Sequence, residues 1–291
     1  MLRMKVGLLF ANSMAMVQPA AAIEVAEYAE ANGVESVWTV EHVVVPGGYK
    51  SAYPYSRSGR MPGGEDSPIP DPLIWLAFVA ARTTSIRLAT GMMILPQRNP
   101  VITAKALATL DVLSGGRVVL GAGIGWLKEE FDIIGVPFKE RGTRTDEAIE
   151  AMRVLWRDDQ PTYHGRHFNF DDARLWPKPV EGVIPIVIGG HSEPAARRAG
   201  RLGDGFFPAA RDVDENARVI SVMRQAAEDA GRDPAAIEIT LGGWPDAETV
   251  GRYREIGVSR IGVPLLAPDV GAAKGMIDSA MQALRESGEE G

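Results

Sequence analysis

The sequence contains no cysteine in 291 residues. This absence excludes disulfide bonds, thiolate nucleophiles, cysteine-ligated zinc and iron–sulfur clusters. Positive charge is also scarce, because 31 lysines and arginines stand against 38 aspartates and glutamates and give a formal net charge of −7. A broad basic surface for nucleic acid or an anionic membrane is therefore not expected, and a small-molecule partner fits the composition better.

Long hydrophobic runs are lacking as well. The apolar run near the N-terminus covers only residues 6–10 before Asn12 and Ser13 interrupt it, which is typical of a buried strand rather than a secretion signal. We therefore expect a cytoplasmic protein without membrane spans. With 45% hydrophobic residues the chain can bury one large core, so we expect a single domain over residues 1–291.

Short apolar segments alternate with longer helical patterns, which is typical of βα units around a parallel sheet. Eight such units predict an α/β fold, a closed (β/α)8 barrel of the TIM type. The predicted strands cover residues 4–10, 36–40, 86–90, 118–122, 185–188, 205–207, 237–241 and 260–263. The predicted helices cover residues 20–32, 72–81, 101–113, 145–156, 193–202, 214–230, 247–256 and 272–286.

Two connections are longer than the roughly two to six residues usual for βα loops, and they form insertions after strands two and four. Residues 43–71 carry Tyr49, Tyr53 and Tyr55 between turn-forming residues, so this segment is a candidate lid or pocket wall. The second insertion, residues 157–184, contains an alternating pattern that predicts a small hairpin.

The active sites of such barrels form at the carboxyl ends of the strands. His42 follows the second strand, where an imidazole can exchange a proton with a reacting carbonyl or hydroxyl group. The alternative is a histidine that is only hydrogen-bonded in the barrel wall. Glu41 is interpreted either as the residue that orients His42 or as the salt-bridge partner of a basic side chain.

Glycines end several strands, among them Gly91, Gly123 and Gly189. They allow the backbone to approach a broad planar ligand, although each glycine alone also serves as an ordinary turn. Residues 189–192 directly precede a predicted helix, so their N–H groups and the helix dipole suit a phosphate. The alternative is that Ser192 simply caps this helix.

Two other barrel chemistries are disfavoured by the residues at the strand ends. A Schiff-base aldolase needs a lysine there, and no lysine is so placed. A metal-dependent hydrolase would gather several histidines and carboxylates, but only His42 and His191 reach strand ends, so no metal site is expected. His164 and His167 are expected on the surface of the hairpin.

Residues 36–42, 88–96 and 121–126 resemble the luciferase-like monooxygenase superfamily in sequence, order and spacing. Residues 125–131 are especially similar to its coenzyme F420-dependent oxidoreductase subgroup. The resemblance extends over most of the chain through residues 141–147, 185–190 and 203–206.

The resemblance implies a bacterial luciferase-like barrel that binds coenzyme F420, a deazaflavin, or alternatively FMN, at the strand ends. It places the catalytic residue His42 beside the reactive ring and a non-prolyl cis peptide between Gly91 and Met92 behind that ring. It also implies that glycines leave room for the cofactor and that residues 189–192 hold its phosphate. The implied cofactor-binding residues are Glu41, Thr90, Gly91, Met92, Gly123, Gly125, Gly189, Gly190, His191 and Ser192.

The reaction implied by the resemblance is hydride transfer between F420 and an unidentified small organic substrate. The alternatives are an FMN-dependent monooxygenase that uses O2 and reduced flavin from a separate reductase, and a catalytically inactive flavin-binding barrel. A homodimer is implied too. Trp126 stands where F420-dependent sugar-phosphate dehydrogenases have a carboxylic acid, so their substrate is not transferred to this chain. The acidic tail of F420 needs basic residues at its exit, and the candidates, which are otherwise ordinary surface residues, are Arg57, Arg60, Arg98, Arg174 and Lys178.

Overall fold

A ring of parallel strands forms the centre of the protein, and helices cover its outside. The computed structural model describes residues 3–210 and 212–288. In chain order the strands are β1 (Lys5–Leu9), β2 (Ser36–Thr39), β3 (Arg87–Thr90), β4 (Met93–Ile94), β5 (Val118–Gly123), β6 (Tyr163–His164), β7 (Asn169–Phe170), β8 (Ile186–Gly189), β9 (Gly205–Phe207), β10 (Glu238–Gly242) and β11 (Arg260–Pro264). The helices are α1 (Pro19–Ala31), α2 (Pro72–Ala80), α3 (Pro100–Ser114), α4 (Lys128–Ile134), α5 (Arg141–Arg157), α6 (Glu193–Leu202), α7 (Val213–Asp229), α8 (Ala247–Glu255) and α9 (Val270–Glu286).

Eight of these strands close into a barrel in the order β1, β2, β3, β5, β8, β9, β10 and β11. The last strand returns to the first, with Lys5 opposite Arg260 and Leu9 opposite Pro264. Because every pairing in the ring is parallel, all strand carboxyl ends lie at one end of the barrel, termed the mouth below. The structure therefore confirms the predicted (β/α)8 TIM barrel.

Apolar side chains cover both faces of the barrel wall. One layer lies between the strands and the surrounding helices. A second layer, formed by Trp38, Ala89, Val119 and Val187, is a separate cluster of residues on the strands. Because both faces are covered, the strands appear in the sequence as nearly continuous apolar runs, and this is why they were recognisable.

Most predicted strands and helices end within one or two residues of the observed ends. Three differences are larger. The short strand β4 and the helix α4 were not predicted, because neither is long enough to show a period in the sequence. Helix α5 begins at Arg141 rather than at Thr145, since Thr145 already lies inside it and donates from its Oγ1 to the carbonyl of Arg141. Throughout residues 3–210 and 212–288, no helix has the length and apolar composition needed to cross a membrane.

The two insertions have different characters. Residues 43–71, termed the lid below, contain no helix or strand. The second insertion contains the predicted hairpin, in which β6 and β7 pair in antiparallel fashion. His164 is exposed there as expected, but the prediction for His167 was wrong. Its side chain is only 5% exposed, and its Nε2 lies 2.9 Å from Oγ1 of Thr143 because the hairpin packs against α5.

Candidate active site at the barrel mouth

His42 lies at the mouth directly after β2, and its imidazole contacts a carboxylate from a distant part of the chain. Nδ1 of His42 lies 3.0 Å from Oε2 of Glu130 in α4. The side chain of Glu130 is fully buried, and that of His42 is 9% exposed. Oε1 of Glu130 also accepts a hydrogen bond from the backbone N–H of Val43 at 2.6 Å. Glu130 thus holds both the ring of His42 and the first residue of the lid.

The contact with Glu130 decides which nitrogen of His42 carries the proton. A carboxylate offers only hydrogen-bond acceptors, so the nitrogen that faces it must be the donor. Opposite an ionised Glu130, neutral His42 would have its proton on Nδ1 and a lone pair on Nε2. Across the described residues, no protein group forms a hydrogen bond with Nε2. Nε2 is therefore the atom that can accept a proton from a bound hydroxyl group or, in the imidazolium, donate one to a carbonyl.

Glu41 has a structural partner other than His42. Its carboxylate pairs with Arg98, whose Nε lies 2.9 Å from Oε1 of Glu41, and it also accepts the backbone N–H of Ile94. Burial raises the pKa of Glu41, and the positive charge of Arg98 opposes that shift. Of the two interpretations of Glu41, the salt bridge is the one found. A contact between Glu41 and a cofactor stays a prediction.

Carboxylates form hydrogen bonds or an ion pair near both ends of the lid. Near its start, Glu129 of α4 accepts hydrogen bonds from the backbone N–H of Lys50 at 2.7 Å and from the hydroxyl of Ser51 at 2.6 Å. The Ser51 hydroxyl and the backbone N–H groups lower the pKa of Glu129 to about 2. At the end of the lid, Oδ2 of Asp71 lies 2.9 Å from the guanidinium of Arg98. The two ends of the lid are therefore tied to the strand ends and to α4.

Aromatic rings from the lid form a row across the mouth. The ring centre of Trp126 lies 5.6 Å from that of His42 and 5.2 Å from that of Tyr53. Tyr53 in turn contacts Tyr55 at 5.4 Å, and Tyr55 contacts His191 at 5.5 Å. All these contacts are edge-to-face. The row therefore runs from His42 at the end of β2, through Trp126 and two tyrosines of the lid, to His191 after β8.

The glycines at the strand ends make room for a methionine. A β-carbon on Gly189 would lie 2.6 Å from Cγ of Met92, and one on Gly123 would lie 3.1 Å from Cβ of Met92. The peptide bond between Gly91 and Met92 is cis, as the resemblance implied. The role of these residues beside a cofactor stays a prediction.

Two more of the predicted cofactor-binding residues have structural partners. Oγ1 of Thr90 donates a hydrogen bond to the carbonyl of Gly121 at 2.8 Å. Gly125 has a φ of +77°, and a β-carbon there would lie 2.7 Å from the ring of Phe131. Gly125 thus serves the turn from β5 into α4, and cofactor contacts of Thr90 and Gly125 stay predictions.

Residues 189–192 form the turn between β8 and α6. Oγ of Ser192 accepts the N–H of Ala195 in the first turn of α6 at 3.4 Å, so Ser192 caps this helix, and the binding of a phosphate here stays a prediction. The N–H of Gly190 donates to the carbonyl of Phe207 at 3.2 Å. Nδ1 of His191 is buried, and it has no hydrogen-bond partner in the part of the chain that the structure describes.

The start of α6 fits the phosphate-bearing part of a flavin-type cofactor. The unpaired nitrogen of His191 supplies a polar atom, and the N–H groups of the first helical turn supply donors for an anion. A cleft of 240 Å³ lies beside it, lined by Pro54 of the lid and by His191, Ala209, Ala210 and Glu215. Pockets for drug-sized ligands have about 300–1,000 Å³. The cleft is smaller than this range, and Pro54 is the one lining residue that belongs to the lid.

Two of the five expected rim cations, Arg98 and Lys178, are bound elsewhere in the protein. Arg57 and Arg60 are exposed on the lid and remain candidates. Arg98 is already paired inside the mouth. Lys178 donates to carbonyls at the C-terminal end of α5, which is the opposite end of the barrel. Arg174 is exposed and pairs with the exposed Asp172, so its role at the rim stays a prediction. The sequence did not show the positions of Arg98 and Lys178, because both depend on contacts between residues far apart in the chain.

Sequence reasoning missed Glu130 as the partner of His42. The two residues are 88 positions apart, and α4, which carries Glu130, was not predicted. The one available signal was that Glu130 lies in residues 125–131, the segment that carries the subgroup resemblance. Within residues 3–210 and 212–288, no group of three or more histidine, aspartate or glutamate side chains is arranged to hold a metal ion.

Residues 4–245 match the family model of luciferase-like monooxygenases. An uncharacterised protein of Mycobacterium tuberculosis (strain ATCC 25618 / H37Rv) is 34% identical over 273 residues, which cover 93% of this chain and 95% of that protein. An F420-dependent glucose-6-phosphate dehydrogenase of Kineococcus radiotolerans is 30% identical over 229 residues. That match covers 77% of this chain and 63% of the dehydrogenase.

Solved structures share the fold. An F420-dependent secondary alcohol dehydrogenase in complex with an F420–acetone adduct superposes with a TM-score of 0.80 at 22% identity, over 98% of this chain and 99% of that one. A long-chain alkane monooxygenase superposes with a TM-score of 0.80 at 14% identity, over 98% of this chain and 92% of that one. At these identities the likeness shows the fold alone, and the two names describe different chemistries on it.

Proposed function

The chain belongs to the luciferase-like monooxygenase family, and on this premise we propose that it is an F420-dependent oxidoreductase that transfers a hydride between the deazaflavin and a small organic substrate. The observation that carries the proposal is His42 at the mouth: its Nδ1 faces a buried carboxylate, and its Nε2 has no hydrogen-bond partner among residues 3–210 and 212–288. The choice of F420 is supported by relatives whose names state dependence on it.

Different residues of this chain would have different roles in such a reaction. When bound, the deazaflavin supplies the carbon that gives or receives the hydride. The start of α6 and His191 would hold the phosphate-bearing part, and the strand ends would carry the ring system. His42 would exchange the proton of the substrate at Nε2 and orient the reacting oxygen. Trp126 and the lid tyrosines would exclude water and pack against the apolar part of the substrate.

The first experiment is a titration of the purified apoprotein with F420 and with FMN under identical conditions, followed by fluorescence or calorimetry. Tighter binding of F420 is expected. Preferential binding of FMN would instead favour a monooxygenase that uses O2 and takes reduced flavin from a separate reductase. Binding of neither cofactor would overturn the proposed site.

A second experiment separates an enzyme from a barrel that only binds the cofactor. The protein loaded with reduced F420 is mixed with a panel of ketones and aldehydes, and reoxidation is followed by absorbance. Reoxidation by one class of carbonyl compound is expected. Oxygen consumption coupled to hydroxylation would favour the monooxygenase, and no reoxidation over the whole panel would favour the inactive binding barrel.

A homodimer is also part of the proposal. Ile74 and Phe78 of α2 and Ile102 of α3 are 74%, 42% and 71% exposed, and the two helices pack against each other. Apolar surface on adjacent helices suits a second copy of the chain. Light scattering should give a dimer for the wild type and a monomer for Ile74→Asp, and a monomeric wild type would overturn this part. The cytoplasmic location stays a prediction.

A further inference from the structure

We propose that Glu130 is a positioning residue, which fixes the proton of neutral His42 on Nδ1 and so presents Nε2 as a proton acceptor at the mouth. The value of this arrangement for catalysis rests on the proposed function of His42. The arrangement itself is a property of the protein without cofactor or substrate. It can therefore be tested separately.

The two carboxylate oxygens of Glu130 have different hydrogen-bond partners. Oε2 faces Nδ1 of His42 at 3.0 Å, while Oε1 accepts the backbone N–H of Val43 at 2.6 Å and lies 3.4 Å from that of Val44. The carboxylate is fully buried, so bulk water does not replace either partner. Since both oxygens face donors, the carboxylate is held in one orientation. The ring of His42 is then held by a partner that accepts hydrogen bonds only.

The consequence for His42 follows from the inventory of donors and acceptors. With Nδ1 protonated, neutral His42 offers a lone pair at Nε2, and that lone pair can take the proton of a substrate hydroxyl. In the reverse direction the imidazolium returns the proton from Nε2 to the carbonyl oxygen. The carboxylate can accept the hydrogen bond of Nδ1 in both directions, because Nδ1 carries a proton in this neutral tautomer and in the imidazolium alike.

The variant Glu130→Gln changes one oxygen into an NH2 group at almost constant volume. The remaining oxygen of the glutamine should accept the N–H of Val43, because a flipped amide would place its NH2 group against that N–H and leave two donors facing each other. The NH2 group therefore faces Nδ1 of His42, which must then act as an acceptor. Neutral His42 is expected to move its proton to Nε2 and to lose the lone pair that the substrate needs.

The test is a two-bond proton–nitrogen NMR correlation of the 15N-labelled apoprotein, which distinguishes the two neutral tautomers. The chain has only 4 histidines, so the signals of His42 are assigned by their loss in His42→Ala. We expect protonated Nδ1 in the wild type and protonated Nε2 in Glu130→Gln. Glu129→Gln is the matched control, because it removes the adjacent carboxylate and a lid contact without touching His42. It should leave the tautomer unchanged.

Kinetics supply the second readout. Glu130→Gln should keep the Kd for F420 within about twofold while kcat falls at least about 10²-fold, because general acid–base catalysis contributes about 10²–10⁴-fold. Glu130→Asp, which keeps an acceptor-only carboxylate, should restore protonated Nδ1 and part of the lost rate.

Three outcomes would overturn the proposal. They are protonated Nε2 in neutral wild-type His42, the same tautomer in the wild type and in Glu130→Gln, and an undiminished kcat in Glu130→Gln. If Glu130→Gln does not fold, the tautomer of the wild type still decides. A shifted tautomer in a protein that neither binds F420 nor turns over would refute the proposed function and leave the positioning role of Glu130 intact.

Discussion

Replacing Arg98 with methionine should destabilise the protein far more than the loss of an ordinary surface charge. Arg98 is the cation beside Glu41, whose side chain is only 2% exposed. Removing one partner of a buried ion pair leaves an uncompensated charge and costs about 3–5 kcal/mol of unfolding free energy. The lost pair with Asp71, which is 39% exposed, adds at most about 1 kcal/mol. Urea unfolding followed by tryptophan fluorescence measures the change.

The loss of unfolding free energy in Arg98→Met should also depend on pH. Burial raises the pKa of Glu41 above its ordinary value of 4.5, and the charge of Arg98 opposes this rise. Without Arg98 the folded protein therefore binds the Glu41 proton more tightly than the unfolded chain does. The destabilisation should be smallest below pH 4.5, where the carboxyl is protonated in both states, and should grow as the pH rises through the pKa of the folded state.

A double variant tests the reasoning. Glu41→Gln combined with Arg98→Met removes both charges, so it should be more stable than Arg98→Met alone. The control is Arg174→Met, which breaks an ion pair with both side chains 60% exposed and should cost at most about 1 kcal/mol. If the losses of the two single variants add to within about 0.5 kcal/mol in the double variant, the buried ion pair is not what stabilises this part of the mouth.

His42→Ala at full cofactor occupancy should lower kcat by at least about 10²-fold, and unchanged turnover would remove His42 from catalysis. Trp126→Ala removes the ring against which His42 and the lid pack, so protease cleavage within the lid should accelerate and the KM for substrate should rise; an unchanged cleavage rate would contradict this role. Because the pKa of Glu129 is lowered from 4.5 to about 2, its bonds to Lys50 and Ser51 persist above pH 4.5 and are lost as the pH falls towards 2. Hydrogen exchange at these two backbone N–H groups should stay protected at pH 4.5 and lose protection only as the pH falls towards 2, and a loss of protection already near pH 4.5 would refute the lowered pKa.

The short helix α4 connects the chemistry of the mouth to the lid. Two adjacent residues of this helix contact neighbouring segments. Glu129 accepts hydrogen bonds from residues 50–51 of the lid. Glu130 contacts His42 and accepts the N–H of Val43, the first residue of the lid. Movement of the start of the lid therefore acts on the carboxylate that orients His42. A lid that opens to admit a cofactor and closes over a substrate would change the contact between Glu130 and Nδ1 of His42.

The barrel could be predicted from local properties of the sequence. A strand that is buried on both faces must be apolar along its whole length, and helices must follow at regular intervals to cover it, so the eight βα units could be counted from composition and period. The strand ends could then be located, and with them His42, residues 189–192 and the two insertions. These are local properties, because they depend on neighbours in the chain.

The side chains that meet at the mouth could not be predicted in the same way, because they come from distant parts of the chain. Glu41 is adjacent to His42 in the chain but pairs with Arg98, while the carboxylate that holds His42 comes from Glu130, 88 residues away. Successive residues at a strand end point in different directions, so sequence neighbours need not share a partner. The lid has no period to reveal its path, and its course across the mouth is fixed by hydrogen bonds and ring contacts between distant residues. Contacts of this kind depend on the closure of the barrel, which brings the strand ends together in space.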